Sequence, residues 1–577
     1  MKLSFKNKGV LIYVPFILVI VLIPLFVIGK EYYTDLSDKS WYSINSNSFD
    51  YFLYWKSRAI MLLGYVLFLV ALCRLQEKRS RMMMVSPIKN HLGIGICLGI
   101  YLTAIVISTI FSENKRMALF GGFEQFEGAF VLCAYLILFC YAFCIFYRHF
   151  FVKLFYAVVL TATGLMTMIG LLQFFHIDFF RSGFGSFLIK IAEPSLWGVN
   201  LIFNFEPGRV YMTLYNPNYV GSYVALMLPV IVSGIFALKH RWAKLAASFI
   251  SIGMILSLIG SESVTGYIAL LCLLMLFIAL MIANIKRIKK VVFILLGSSI
   301  LLGIVFIICK PDTVQYMYRK IFETPESRYA VQRFEAVGDK LFVYSNSKRM
   351  EVKENAVAIE PEFEGFVFTP HTYTDVTKTV YEGIQVTVDG HSWDFVREDG
   401  KYKFFTPYNR VDEIKEIPTF GFENHQRLGS RRGYIWSRTI PLIPKHLLIG
   451  AGPDHFVLTF PNNDYVGLEN NDYRGRILTK PHNMYMQMII QTGLVSLIAF
   501  LSMYFLYFIR SIRLFFKVKH FGVYEIIGIG IFLGTFGFMA AGLANDSSVT
   551  VSPLFWVLFG TGTAINYQIA NKTSHFT

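Results

Sequence analysis

Long apolar stretches alternate with short polar ones over most of this chain. A bilayer crossing needs about 20 mostly apolar residues, and twelve stretches are candidates, the seventh of them short: 10–29, 53–73, 92–111, 128–147, 154–175, 219–238, 245–260, 265–285, 291–309, 482–508, 523–543 and 551–567. Residues 310–481, between the ninth and tenth, are too many for a structureless connection. There the period changes. Over 334–411, "KLFVYS", "FEGFVFT", "GIQVTV" and "SWDFV" alternate or run apolar and are rich in β-branched and aromatic residues, which reads as strands. Asp389-Gly390 and Asp399-Gly400 fall between such runs, where a tight hairpin needs them. Further on, "SRRGYIWSRTIPLI" predicts an amphipathic helix within 424–445 on the membrane surface. The expected fold is an all-α polytopic membrane protein of about twelve transmembrane helices. Residues 1–309 carry nine of them with outward loops, and 482–577 carry three. A β-rich extracytoplasmic insertion separates helices 9 and 10. No internal repeat supports an inverted-repeat transporter.

Composition agrees: of 577 residues, 55% are hydrophobic, and the mean hydropathy is +0.50. The net charge of +16 would suggest nucleic acid were it spread over a surface. It sits instead in short clusters between apolar runs, such as Lys239/Arg241/Lys244 and Arg510/Arg513, which marks cytoplasmic loops. All clusters fall on one side of the count, so both termini are expected in the cytoplasm. Lys2, Lys6 and Lys8 ahead of the first run read as the flank of an uncleaved span. The seven cysteines lie in or beside apolar runs, so neither a disulfide nor a cysteine metal site is expected. The partners implied so far are membrane lipids, not nucleic acid.

Candidate chemistry gathers outside the membrane. In "KPHNMYMQM", Pro481 suits a first helical turn, which places His482 in that turn. There the helix dipole disfavours an imidazolium and leaves a neutral base. "NDYRGRILTK" brings Arg474, Arg476 and Lys480 toward the same lip. "EPGRVYMTLYNPNYVGSY" sets Arg209 before Asn216-Pro217-Asn218. For the asparagines, turn chemistry and helix capping suffice; for Arg209, headgroup anchoring and function weigh evenly. Arg431, Arg432 and Arg438 could equally bind lipid phosphate. Gly450-Ala451-Gly452-Pro453 reads as a tight turn rather than a nucleotide loop, and Asp454-His455 offers too few ligands for a metal. No cofactor, metal or nucleotide is expected. An outward enzyme of this kind needs a donor that carries its own leaving group. A lipid diphosphate fits: arginines neutralise the departing pyrophosphate while a base deprotonates an acceptor hydroxyl. The alternatives are a lipid-linked glycan transporter, disfavoured by scarce intramembrane charge, and a surface structural or sensory protein acting through the β-rich insert.

"HN", nine residues and "GLVS" resemble the signature of the O-antigen ligase family, which includes O-antigen polymerases: His, then Asn/Ser/Gln, nine residues, Gly-x-x-Gly. Here Ser496 stands in place of the second glycine. "GRVYMTLYNPNYVGSY", "RRGYIW…LLIGAGPDHF" and "LFGGFEQFEGAF" resemble further family segments. At the turn where the family often has Ser-Arg, this chain has Ser263-Val264. The β-rich part lies outside the resemblance, and acceptor choice or partner binding is its expected role. The resemblance implies a membrane glycan ligase or polymerase. It would transfer an undecaprenyl-diphosphate-linked glycan, without metal, to a hydroxyl of a glycan or lipid acceptor, on the outer face of a bacterial cytoplasmic membrane. It implies His482 as general base or acceptor-orienting group, Arg209 and Arg432 as diphosphate holders, and Asn483 and Asn218 as support. Tyr434 and Trp436 would anchor the surface helix. Gly493, roughly 16 Å along the helix from His482, would pack helices near the membrane middle.

Overall fold

A computed structural model describes residues 11–574 except 46, 79–86, 90, 204, 285–314, 316–328, 354–362, 517 and 519–520. It is mostly helical, with a smaller sheet region. Among the described residues, nine helices are long and apolar enough to cross a membrane. They are α2 (Tyr54–Gln76), α3 (Leu92–Phe111), α4 (Ala129–Phe146), α5 (Val152–Phe174), α6 (Pro217–Ala237), α7 (Arg241–Ser261), α8 (Val264–Ala283), α10 (Met484–Phe515) and α11 (Val523–Ala541). Each matches one of the twelve expected spans. The other three differ. The first holds only a twelve-residue apolar helix, α1 (Val14–Leu25), with a π-turn at Leu18–Leu22 and extended backbone from Phe26. The ninth, 291–309, lies outside the described residues. The twelfth belongs to α12 (Ser552–Ser574), which packs along α4 and is not among the nine.

Successive helices alternate in direction. The starts of α2, α4, α6, α8, α10 and α12 therefore share one end of the bundle with the ends of α3, α5, α7 and α11. The cationic residues Arg74, Arg148, Lys153, Arg241, Lys244, Arg510 and Arg513 sit at the opposite end. α6 is the most enclosed span, 78% of its apolar window being buried, whereas α2 is peripheral at 11%. Apolar side chains such as Leu62, Tyr65 and Phe68 on α2 are exposed, as a lipid-facing surface requires. Small residues bring α6 against its neighbours. A Cβ on Gly221 would stand 2.7 Å from the Gly266 Cα of α8, and one on Gly534 of α11 would stand 2.1 Å from the Leu226 carbonyl oxygen. Such contacts are how helices associate where lipid is as apolar as leucine.

At the site-bearing end lie β1 (Lys30–Tyr33) paired with β2 (Asn47–Asp50), and the insert. The insert holds a three-stranded antiparallel sheet, β3 (Arg333–Val337), β4 (Lys340–Ser345) and β5 (Lys348–Glu351). A five-stranded sheet follows in the order β10-β9-β8-β7-β6: β6 (Val367–Thr374), β7 (Val380–Val388), β8 (His391–Glu398), β9 (Lys401–Phe405) and β10 (Val411–Asp412). The two Asp-Gly pairs turn β7 into β8 and β8 into β9. Both residues of each pair have positive φ (51° and 79°, 50° and 75°), the backbone that matches strand twist in a two-residue turn. Phe334, Val343, Val386, Trp393, Phe395 and Phe404 belong to one apolar core.

α9 (Leu428–Thr439) departs from the expected amphipathic surface helix. Gly429, Ser430 and Arg431 are left-handed, so regular helix begins only after them. Tyr434 and Ile435 are fully buried with Phe456, Phe460 and Ile490. Tyr434 and Trp436 are therefore internal rather than membrane anchors, and Trp436 Nε1 donates to the Pro481 carbonyl at 2.9 Å. The apolar positions that suggested a lipid contact face another layer of the same chain.

α10 also differs. It is broken at Gly493, with φ 85° and ψ 165°, a region open essentially to glycine alone. Leu494 N–H donates to the Leu447 carbonyl (2.7 Å), leaving the Ile490 and Gln491 carbonyls to accept from Ala451 N–H (2.7 Å) and Gly452 N–H (3.0 Å). The Gly-Ala-Gly turn is thus threaded into the break. A Cβ on Gly450 would stand 2.4 Å from the Gln491 oxygen. Ser496 Oγ donates to the Gly493 carbonyl at 2.7 Å. The small residues in "GLVS" build a broken helix rather than a smooth packing face.

Candidate functional site

His482 does not lie in the first turn of α10. Asn483 is the N-cap, accepting from Tyr485 N–H (3.0 Å) and Met486 N–H (2.9 Å) and donating to the Leu543 carbonyl (2.8 Å). His482 precedes it with φ 51°, a conformation that histidine tolerates better than bulkier residues. Its ring is paired with a carboxylate. Nδ1 lies 2.8 Å from Oδ2 of Asp546, whose side chain is fully buried while that of His482 is 29% exposed. A carboxylate accepts, so Nδ1 is the donor in this pair, and in the neutral ring the lone pair falls on Nε2. Nε2 has no hydrogen-bond partner among the described residues. Asp546 belongs to the short connection between α11 and α12.

Two cations share this surround. Lys480 is buried, donates to the Tyr219 hydroxyl at 3.3 Å and lies over the rings of Tyr215 and Tyr219. Burial works against its charge, but Tyr219, Glu124 and Asp546 outweigh burial and hold its pKa above the usual lysine value. Arg432 is 7% exposed and donates through Nη1 to the Gly429 carbonyl at 2.6 Å. Its Nε and the Oδ1 of Asp546 are both buried without a hydrogen-bond partner among the described residues. Burial lowers the Arg432 pKa, and the Asp546 carboxylate partly offsets this. The two groups therefore sense each other's charge.

A second carboxylate stands nearby. Glu127, immediately ahead of α4, accepts from the hydroxyls of Tyr135 (2.6 Å) and Ser547 (2.8 Å), and Gln487 Nε2 donates to it at 3.4 Å. With these residues, Tyr101, Met484, Phe500, Phe538 and Trp556 line a cleft of about 470 Å³. Asp454, from the Gly-Ala-Gly-Pro segment, accepts from the backbone N–H groups of Gly122 (2.5 Å) and Glu127 (3.2 Å). Burial pushes both carboxyls up to about 7, from ordinary values of 4.5 and 3.8, against the hydrogen bonds that favour their charged forms. The folded chain thus binds protons more readily than the unfolded one. The stabilisation is complete below the unfolded pKa values and is lost as pH rises through about 7. The thermal midpoint of the purified protein should therefore fall between about pH 4 and about pH 7. The Glu127→Gln/Asp454→Asn double variant should flatten that fall, and an unaltered slope would refute the assignment.

The remaining expected residues divide. Asn218 receives its cap from Asn216, whose Oδ1 accepts the Asn218 N–H at 2.9 Å. The Asn218 carbonyl accepts from Asn545 Nδ2 (3.1 Å), and its Oδ1 from the Ser263 hydroxyl (3.4 Å). Asn218 is thus joined to the residue before Asp546. Arg209 is ion-paired with Glu262, next to Ser263, and so sits along the same rim with its guanidinium already engaged. Arg431 pairs with Asp472 at the surface. Arg438 is buried against Asp464 at 2.9 Å and over the Tyr434 ring, which makes it a structural strut rather than a ligand holder. Arg438→Met should lower the thermal midpoint sharply, since stranding one partner of a buried pair costs about 3–5 kcal/mol; thermal unfolding measures this. Arg474 is tied to Asp394 and Ser392 of β8. With Arg476 it lines a cleft beside the insert instead of the His482 lip.

Asp546 and Glu127 escaped the sequence reading. Their signals were slight: the polar run Asn545-Asp546-Ser547-Ser548 between two apolar segments, and an acidic residue immediately before a span.

No curated protein matches this chain. The O-antigen ligase family model matches residues 249–501, a little under half of the chain. That stretch holds Arg432, Lys480, His482 and the break at Gly493, and leaves Arg209, Glu127 and Asp546 outside it. Residues 249–501 thus resemble the O-antigen ligase family within a polytopic membrane protein, which supports a glycan-handling role.

Proposed function

We propose that the chain transfers a glycan from a polyprenyl-diphosphate carrier to an acceptor hydroxyl on the outer side of a bacterial cytoplasmic membrane. The observation that carries this is the His482–Asp546 pair, 2.8 Å apart, with Arg432 and Lys480 beside it. Asp546 orients the ring and stabilises the imidazolium that forms. Nε2 takes the proton of the acceptor hydroxyl, whose oxygen attacks the anomeric carbon as the bond to the diphosphate breaks. The unpartnered Nε of Arg432 and the ammonium of Lys480 supply donors and positive charge for the leaving diphosphate. Arg209 stands at the neighbouring rim with its charge matched by Glu262. On this reading the basic end of the bundle faces the cytoplasm, as do both termini, and no metal takes part.

The test is a purified assay in liposomes with synthetic undecaprenyl-diphosphate oligosaccharide and a panel of glycan and lipid acceptors. Release of undecaprenyl diphosphate that depends on acceptor is expected. Arg432→Lys should weaken donor use, because a point charge cannot reproduce the planar fork of a guanidinium. Movement of intact lipid-linked glycan across the bilayer, without release of the diphosphate, would favour the transporter reading instead.

A further inference from the structure

The insert is built into the site-bearing end of the protein. Arg410 donates to the carbonyls of Ser37 (2.5 Å) and Lys39 (2.9 Å), and Asp412 accepts from Ser40 (2.6 Å) and Tyr465 (2.7 Å). Between the insert, the stretch 462–476 and the segment around Trp41 lies a narrow cleft that opens to solvent. Its aromatic walls include Trp41, Trp393, Tyr408 and Tyr465. Two of these rings are pinned: Trp393 Nε1 donates to the Tyr465 carbonyl (3.3 Å), and the Tyr408 hydroxyl to the Gly475 carbonyl (2.8 Å). Arg474 bridges Asp394 (2.8 Å) and Glu469 (3.7 Å) along the polar side. Arg476 is exposed at the rim, and its side chain makes no hydrogen bond or ion pair among the described residues.

We infer that this cleft is a sugar-binding subsite that holds a segment of glycan chain away from the transfer centre. A pyranose presents an apolar C–H face and a rim of hydroxyls. Aromatic rings suit the first, while guanidinium and carboxylate groups offer paired hydrogen bonds to the second. Two arginines balance Asp394 and Glu469, so the lining has no excess charge that would select a phosphate. Reach agrees as well. Arg476 and His482 are six residues apart, so at about 3.3–3.6 Å per residue the rim lies at most roughly 20 Å along the backbone from the dyad. A short oligosaccharide with its reducing end beside His482 spans that separation.

The identity of the ligand rests on the transfer reading, and one calorimetric experiment separates the two. The full-length protein in detergent is titrated with oligosaccharide released by mild acid from the lipid-linked glycans of the producing cells. Saturable binding is expected, undiminished in His482→Ala. Arg476→Ala and Trp41→Ala should each weaken it about tenfold or more, which is about 1.4 kcal/mol. Arg476→Ala is an exposed change, so its thermal midpoint should match the parent's. If the parent and Arg476→Ala bind equally, or if an unstructured peptide binds and the oligosaccharide does not, the inference is overturned. Oligosaccharide binding in a protein that never releases diphosphate would sink the transfer reading and leave the subsite standing. Transfer with no measurable binding in the cleft would do the reverse.

Discussion

His482→Ala is expected to abolish glycan transfer while the protein remains folded in detergent. Removing a positioned base costs typically about 10²–10⁴ in rate. The informative companion is Asp546→Asn. An amide can donate to Nδ1 as readily as accept from it, so the tautomer with the lone pair on Nε2 is no longer enforced. A loss of similar order is expected, together with a changed pH–rate profile, because the carboxylate that stabilises the imidazolium is gone. A structural role alone would lower the thermal midpoint and leave that profile unchanged. Membranes that produce the same product ladder with His482→Ala as with the parent would end the assignment.

Gly493→Ala should be the most damaging change of a single methyl. At φ 85° and ψ 165° an alanine is strained by about 1–3 kcal/mol. Its Cβ would also stand 2.5 Å from the Leu448 carbonyl oxygen, against backbone that cannot rotate away. Either the break closes or the 447–452 turn is expelled. In both cases Ala451 and Gly452 lose the Ile490 and Gln491 carbonyls, and with them the anchor of Asp454 on the Gly122–Glu127 loop. A large fall in thermal midpoint and loss of transfer are expected together. Ser496→Ala removes only the hydroxyl that donates to the Gly493 carbonyl and should have a much milder effect. If Gly493→Ala melts with the parent, the break is not needed for the fold.

Much of the architecture was legible residue by residue. Among the described residues, nine of the twelve expected spans stand as helices long and apolar enough to cross a membrane, because a stretch that must satisfy its own backbone in lipid shows that need in its composition. The Asp-Gly hairpins of the insert were equally plain, since a two-residue turn restricts both positions locally. The reading of α9 failed for a related reason. Periodicity reports that one face of a helix is apolar, and cannot say whether lipid or protein covers it; here Phe456, Phe460 and Ile490 do. Likewise the arginines of this region looked alike in sequence. Only packing divides Arg432, which keeps an unpartnered Nε near Asp546, from Arg438, whose charge is consumed by Asp464.

The sequence by itself determined where the chain is apolar enough for a bilayer, where it turns to strand, and that His482 stands at the head of a long apolar helix. Those properties depend on residues adjacent along the chain. Tertiary structure alone decided which carboxylate orients the imidazole, since Asp546 is 64 residues away on the connection between two other helices. It also decided that the Gly-Ala-Gly turn fills the break at Gly493. A pairing between distant segments leaves no local period to read, and it exists only once the bundle has closed around it.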